Sequence, residues 1–170
     1  MSEPNNVCEE KIFEGLFRKL SKSIRDFLYY QSGDLARSED LVQDIFFTLW
    51  EKCKDVPLSK AKSYLFTLAR NRFLNEAEKQ KVRLKYRDQS RSGKDVKDPD
   101  YMLRMKEHEE RLNAALNQLS EGQREVFLLN RINKMTYAEI AESLGVSQKA
   151  IEKRMSKALQ KLKEVLNPEE

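Results

Sequence analysis

Apolar residues recur along this chain at intervals of three and four, and runs of alternating β-branched residues are missing, so the pattern predicts helices and no sheet. The first stripe is Phe13, Leu16, Phe17, Leu20, Ile24, Phe27 and Leu28, which predicts a helix from about Glu9 to Tyr30. The turn Gln31-Ser32-Gly33-Asp34 ends it. A second helix, starting near Ser38, is expected to bury Val42, Ile45, Phe46, Leu49 and Trp50. Its outer face then presents Asp40, Gln43, Asp44, Phe47 and Thr48. Pro57 cannot sit inside a helix, so Asp55 to Ser59 reads as a loop. A third helix follows from about Ser59 to Tyr86, with Ala61, Tyr64, Leu65 and Leu68 toward the core. From Arg87 to Asp100 apolar content almost vanishes, and one glycine and one proline interrupt the stretch, so it reads as a linker without fixed structure.

The pattern resumes near Tyr101, with Leu112, Ala115, Leu116 and Leu119 marking a helix. Ser120 and Gln123 form a capping box ahead of Val126, Phe127 and Leu129, and Thr136 with Glu139 forms another. Tyr137, Ile140, Ala141 and Leu144 supply the next buried stripe. Gly145 stands where the chain must leave that helix with positive φ. Ser147 caps a last helix with Ile151, Met155, Ala158, Leu159, Leu162 and Leu166 on its dry side. The opposite side carries Gln148, Lys149, Glu152, Lys153, Ser156, Lys157 and Lys161. Two short helices around a glycine turn, the second with a lysine-rich outer face, form a helix-turn-helix suited to the major groove of DNA. A lysine face is more often merely solvated. Here, however, Gln148 to Lys163 holds six bases against the single acid Glu152, whereas a solvated helix more often mixes signs as i,i+4 pairs.

Charge divides the chain further. Acids outnumber bases six to three from Asp34 to Asp55, and bases outnumber acids eight to three from Arg70 to Arg91. One surface therefore suits a basic protein partner and another suits phosphate. With 170 residues there is room for one domain or two small ones, and a net charge of +4 permits nucleic acid without requiring it. Cys8 and Cys53 lie too far apart for metal-ligand spacing; a structural pair is open to them, and a reduced pair is the expectation for a cytosolic chain. His108, in the charged stretch Lys106 to Glu110, reads as a solvated helix residue. No apolar run approaches membrane-spanning length, and the residues Met1 to Asn6 do not read as a signal peptide. No phosphate-binding loop and no nucleophile with its base is present, so an enzyme, a cofactor and a metal centre are not expected.

Specific strings now become legible. Ser38 to Trp50 resembles the second conserved region of bacterial RNA polymerase sigma factors, and Tyr64 to Asn71 resembles that region's promoter-reading helix. Leu119 to Phe127 followed by Tyr137 to Ala141 is similar to the fourth region. Length and layout resemble the extracytoplasmic-function (ECF) subfamily of the sigma-70 family, which lacks the first and third regions. The resemblance implies an all-α protein of two small helical domains. Residues 1–86 would be a region 2 bundle of three to four helices, 87–104 a linker, and 105–170 a four-helix region 4 domain with the helix-turn-helix. Ser120 departs from the family's usual proline, and the loop from Asp55 to Lys60 varies within the group with promoter choice.

The resemblance also implies roles. Asp40, Gln43 and Asp44 would dock on the clamp helices of the polymerase beta-prime subunit, with Phe47 as an apolar anchor unless it packs beneath the first helix. Ser59, Lys60, Lys62, Tyr64, Arg70 and Asn71 would meet the minus-ten element. There a basic groove, stacking surfaces and a polar pocket take a single strand with an extruded base. Asn71 can both donate and accept toward a base edge, Pro57 to Lys60 would wall the pocket, and Tyr64 and Phe66 are candidate stackers, with core packing the commoner fate of a Tyr64 at that spacing. Gln148, Lys149, Glu152, Lys153, Ser156 and Lys157 would read the minus-thirty-five element. Glu152 would accept from a cytosine, or else hold Lys149 or Lys153. Arg154 and Lys161 would contact phosphates.

Implied partners are core RNA polymerase (beta-prime clamp helices and beta flap), double- and single-stranded promoter DNA, and an anti-sigma factor. The free protein is expected to be a cytoplasmic monomer without membrane insertion. A linker of this length reaches at most about 50–65 Å extended, and about 20–25 Å as a coil. Away from the polymerase the two domains are free to collapse on each other and hide both DNA faces, which predicts weak DNA binding by the protein alone. The competing reading is a stand-alone regulator of the LuxR type, whose DNA-binding half looks much like residues 105–166. A pure interaction adaptor with solvated lysine faces is a third.

Overall fold

A computed structural model describes residues 6–84, 107 and 110–167. The linker at 87–104, Tyr101, His108 and the end of the third helix at Tyr86 lie outside them. Every regular element among the described residues is a helix, as the spacing predicts: α1 (Glu10–Ser32), α2 (Leu35–Glu51), a 3-10 turn (Leu58–Lys60), α3 (Ala61–Leu84), α4 (110–117), α5 (Glu121–Arg131), α6 (Tyr137–Leu144) and α7 (Gln148–Leu166).

Local chemistry accounts for most helix ends. Gly33 takes φ 75° and its N–H donates to the Tyr29 carbonyl, closing α1 in the left-handed conformation that glycine adopts freely. α2 starts at Leu35, three residues before the start near Ser38 expected from sequence. Asp34 is the cap, accepting from the Arg37 N–H at 3.0 Å, while Ser38 is fully buried and donates to the Asp34 carbonyl at 2.6 Å. Both expected capping boxes form, Ser120 with Gln123 and Thr136 with Glu139, each with side chain and backbone exchanging hydrogen bonds. Gly145 takes φ 67°, and Ser147 caps α7 by accepting from the Ala150 N–H at 3.1 Å.

α1, α2 and α3 pack together around Ile24, Phe27, Leu28, Ile45, Leu49 and Leu65, each at most 0% exposed. Two expectations fail here. Trp50, at the end of α2, is 43% exposed and meets Phe13 edge-on at 5.0 Å. Phe66, a candidate stacker, is instead core: it is 1% exposed and meets Phe27 edge-to-face at 6.2 Å. α5, α6 and α7 form the second block around Leu128, Leu129, Ile140, Ile151 and Met155, with Ala115 and Leu116 of α4.

The cysteines correct a further expectation. Cys8 and Cys53 form a disulfide, with Cα atoms 5.1 Å apart across 45 residues of sequence. Residues 6–9 turn back beside the end of α2, with Val7 fully buried, and that return brings the two thiols together. Sequence separation hides such proximity.

The two blocks touch. α3 packs against α6, and α1 against α5. Asn133, in the turn between α5 and α6, is buried and donates through Nδ2 to the Ser23 carbonyl of α1 at 2.8 Å. Lys134 beside it has φ 55°, a left-handed conformation that lets the chain turn while Met135 is buried.

Candidate polymerase and promoter interfaces

Three faces carry the residues singled out from sequence. On α2, Asp40, Gln43, Asp44 and Phe47 follow the i, i+3, i+4, i+7 rule, and all are exposed. Phe47 is 62% exposed and does not pack beneath α1. Phe17 continues the apolar edge, 40% exposed and edge-on to Phe46 at 4.9 Å. Two arginines brace the rim of this face. Arg37 holds Glu76 of α3 with both guanidinium edges, its Nε donating to Oε2 at 3.2 Å, and that bond raises the Arg37 pKa. Arg72 of α3, within the basic stretch from Arg70 to Arg91 expected to suit phosphate, instead donates to Thr48 Oγ1 at 2.9 Å and lies 4.0 Å from Asp44.

The second face runs from the 3-10 turn along α3. Ser59, Lys60 and Asn71 are exposed, while Lys62, Tyr64 and Arg70 are half-buried, with Tyr64 against the core. Tyr64 and Asn71, seven residues apart, share one side of the helix. Two of the three cations of this face are spent across the block boundary: Lys60 Nζ donates to Glu142 of α6, and Arg70 Nε to Glu125 of α5. The Glu125 side chain is only 9% exposed. Burial pushes its carboxyl above the ordinary carboxylate range; Arg70 and then Arg154 pull it back, and burial wins. Sequence reasoning passed over Glu125 and Asn133. The available signal was a charge at a core-facing helical position, one turn before Leu128 and Leu129.

The third face is the outer side of α7. Gln148, Lys149, Glu152, Lys153, Ser156, Lys157 and Lys161 are all exposed there. Glu152 takes an amide from Gln148 at 3.4 Å rather than resting on a lysine through any hydrogen bond seen among the described residues. Arg154 is half-buried and leans over α5, where a Cβ on Gly122 would lie 4.0 Å from its guanidinium. Lys157 and Lys161 also line a polar cleft of about 350 Å³ with Ser120 and Gln123, at the start of α5. The partial positive charge of that helix start and the two ammonium groups favour an oxyanion there, and the Glu164 carboxylate on the same cleft opposes it. Among the described residues, no group of three or more His, Cys, Asp or Glu side chains could hold a metal, and no helix is long and apolar enough to cross a membrane.

A short helix and a long one, joined through a left-handed glycine and with seven polar side chains on the outer face of the second, define a helix-turn-helix DNA-binding protein. Comparison with known proteins narrows this. The profile for sigma-70 region 2 matches residues 16–83, and that for sigma-70 region 4 matches residues 109–162. The ECF RNA polymerase sigma factor EcfG of Rhodopseudomonas palustris is 30% identical over 145 residues, covering 85% of this chain and 79% of that protein. The ECF RNA polymerase sigma factor RpoE of Cereibacter sphaeroides is 27% identical over 165 residues, covering 92% of this chain and 87% of that one. Among solved structures, the sigma factor RpoE of Bartonella quintana, in complex with the anti-sigma factor NepR, superposes with TM-score 0.73 at 25% identity, covering 94% of this chain and 99% of that one. The chain belongs to the ECF sigma factors of the sigma-70 family, the transcription initiation factors that direct promoter recognition. A LuxR-type regulator is not favoured, because the first block matches region 2 as well as the second matching region 4.

Proposed function

We propose that this sigma factor docks on core RNA polymerase through Asp40, Gln43, Asp44 and Phe47 and reads its promoter through two separate faces. The observation that carries the docking is the exposure of these four residues on one side of α2, with a phenylalanine 62% exposed among carboxylates. An apolar anchor ringed by acids complements a basic helical partner such as a clamp coiled coil. Ser59, Lys60, Lys62, Tyr64, Arg70 and Asn71 serve the minus-ten element. Gln148, Lys149, Glu152, Lys153, Ser156 and Lys157 serve the minus-thirty-five element, with Arg154 and Lys161 at phosphates. The functional units are residues 1–86 and 105–170, with 87–104 as the connection. The protein works in the cytoplasm as a non-catalytic subunit without a cofactor, monomeric when free, and is held in check by a partner of the anti-sigma kind.

The docked blocks give this reading a physical step. α7 presents its outer face freely, but Lys60 and Arg70 are paired with Glu142 and Glu125. For α3 to meet a melted strand, those carboxylates must leave, so polymerase has to draw the blocks apart. The free protein therefore binds promoter DNA weakly.

The test is a Gln43→Ala, Asp44→Ala double variant. Both side chains are exposed, so helical content and melting temperature should stay unchanged, while affinity for purified core enzyme falls at least tenfold. Full-strength binding by a folded double variant overturns the docking assignment.

A further inference from the structure

We propose that Cys8 and Cys53 form a reversible thiol–disulfide switch that sets the order of the segment joining α2 to α3. The consequence for promoter opening rests on the minus-ten reading above; the switch itself does not.

Cys53 sits in the turn that follows α2, where the Cys53 N–H reaches the Trp50 carbonyl at 3.4 Å and the Asp55 N–H reaches Lys52 at 2.9 Å. Residues 54–57 then lead directly into the Leu58–Lys60 turn at the start of α3. Backbone hydrogen bonds there are few, so the segment is held by the Cys53 bond at its start and by the buried Val56 and half-buried Leu58 further on. Its partner is well placed to hold it. Val7 is fully buried in the first block, which fixes the anchor end, and the Cys8 N–H donates to Asn6 Oδ1 at 3.0 Å. The bond thus ties an anchored turn to the start of a sparsely bonded loop.

The chain has two cysteines in all, so no third thiol of the protein can exchange with this pair. Cys53 is buried at 9% and Cys8 is half-buried, which makes the Cys8 sulfur the one an external thiol reaches first. Disulfides in reducing compartments are commonly transient and redox-sensing. Oxidation uses a low-molecular-weight disulfide. The Cys8 thiolate attacks one of its sulfurs and releases one small thiol; the Cys53 thiolate then attacks the Cys8 sulfur and releases the second. Two cysteine protons pass to the two released thiols, the protein loses two electrons, and the small disulfide gains them. Reduction runs the same steps backward.

The test uses the full chain equilibrated in mixtures of reduced and oxidised glutathione. Thiol trapping with mass analysis reads the fraction oxidised, and hydrogen exchange reads residues 53–60. The expected result is reversible conversion within the range of mixtures, with exchange over 53–60 at least tenfold faster in the reduced protein. A Cys8→Ser variant, which keeps Val7 and its anchor, should show the fast exchange in every mixture. A pair that stays oxidised in excess reduced glutathione, or never oxidises in excess oxidised glutathione, overturns the switch. So does reduction that leaves exchange over 53–60 unchanged. In parallel transcription with core enzyme, the oxidised form should open promoters severalfold better, because an ordered loop loses less entropy on taking a base. Absence of promoter-dependent transcription in both redox states would strike the initiation-factor reading and leave the switch standing.

Discussion

α7 and α3 both carry cations destined, on the proposed function, for DNA, yet they are built on different plans. α7 buries Ile151, Met155, Ala158 and Leu162 on one side and exposes its polar residues on the other, while Leu159 and Leu166, expected on the dry side, are exposed at its edge and its end. α3 touches α1, α2 and α6 at once, and its apolar and charged residues are spread around the axis. A helix with a single dry side can offer its wet side to a ligand without rearrangement. A helix wedged between two blocks must satisfy its charges locally, and Arg70, Lys60 and Arg72 are each held by a neighbour. On that proposal, the recognition face of one is preformed, and that of the other is conditional on the blocks separating.

The largest expected effect asks whether the two blocks are one cooperative unit. Phe27→Ala removes a fully buried ring from the first block, which should cost about 3–5 kcal/mol. Trp50 is the single tryptophan and lies in that block, so its fluorescence follows the first block while far-ultraviolet circular dichroism follows both. If docking couples them, both signals melt together and fall by the same amount in the variant. A dichroism transition that stays at the wild-type temperature while fluorescence drops would make the blocks independent.

A smaller effect targets the boundary itself. Arg70→Ala leaves the Glu125 carboxylate buried without its main partner, and because Arg70 is partly solvated the cost to docking should be about 2 kcal/mol. Small-angle scattering should record a larger radius of gyration, and an unchanged radius would remove Arg70 from the latch. The sign of the pH effect follows from burial. Glu125 is raised in the docked molecule, so the docked form holds a proton that the open form releases at a lower pH. Docking is therefore fully favoured below the ordinary carboxylate range and weakens as pH climbs from there through the raised value of Glu125. Glu125→Gln should keep the compact form and flatten that dependence, measured as radius against pH.

The smallest effect belongs to the preformed side. Gly145→Ala places a Cβ on a residue at φ 67°, which should cost about 1–2 kcal/mol and lower promoter affinity through the angle of α7. Equal stability of the variant and the parent in urea would show that the turn tolerates a side chain.

Much of this was readable in advance because it is local. Thr136 and Glu139, Ser120 and Gln123, Gly33, Gly145 and Ser147 set helix ends through contacts four residues apart or fewer, and all do so in the structure. The start of α2 escaped because Asp34 and Ser38 are both competent caps, and only burial of Ser38 decides between them. The stripe of α1 was legible, but Phe17 at its edge remains 40% exposed, since periodicity marks a side and not how far a neighbour covers it. On the candidate faces, the exposure of α2 and α7 residues followed from their spacing. The engagement of Arg70, Lys60 and Arg72 did not, because each partner lies at least 24 residues away.

By itself the amino-acid order determined the helices, the glycine turn before α7, the charge contrast between α2 and α7, and the motif strings of the family, since each depends on neighbours within a few residues. Only the tertiary structure decided that Cys8 meets Cys53, that Asn133 reaches the Ser23 carbonyl, and that Glu125 is buried against Arg70. Those pairings arise from how whole helices pack, and packing depends on the summed fit of many distant side chains, which no short stretch of sequence contains.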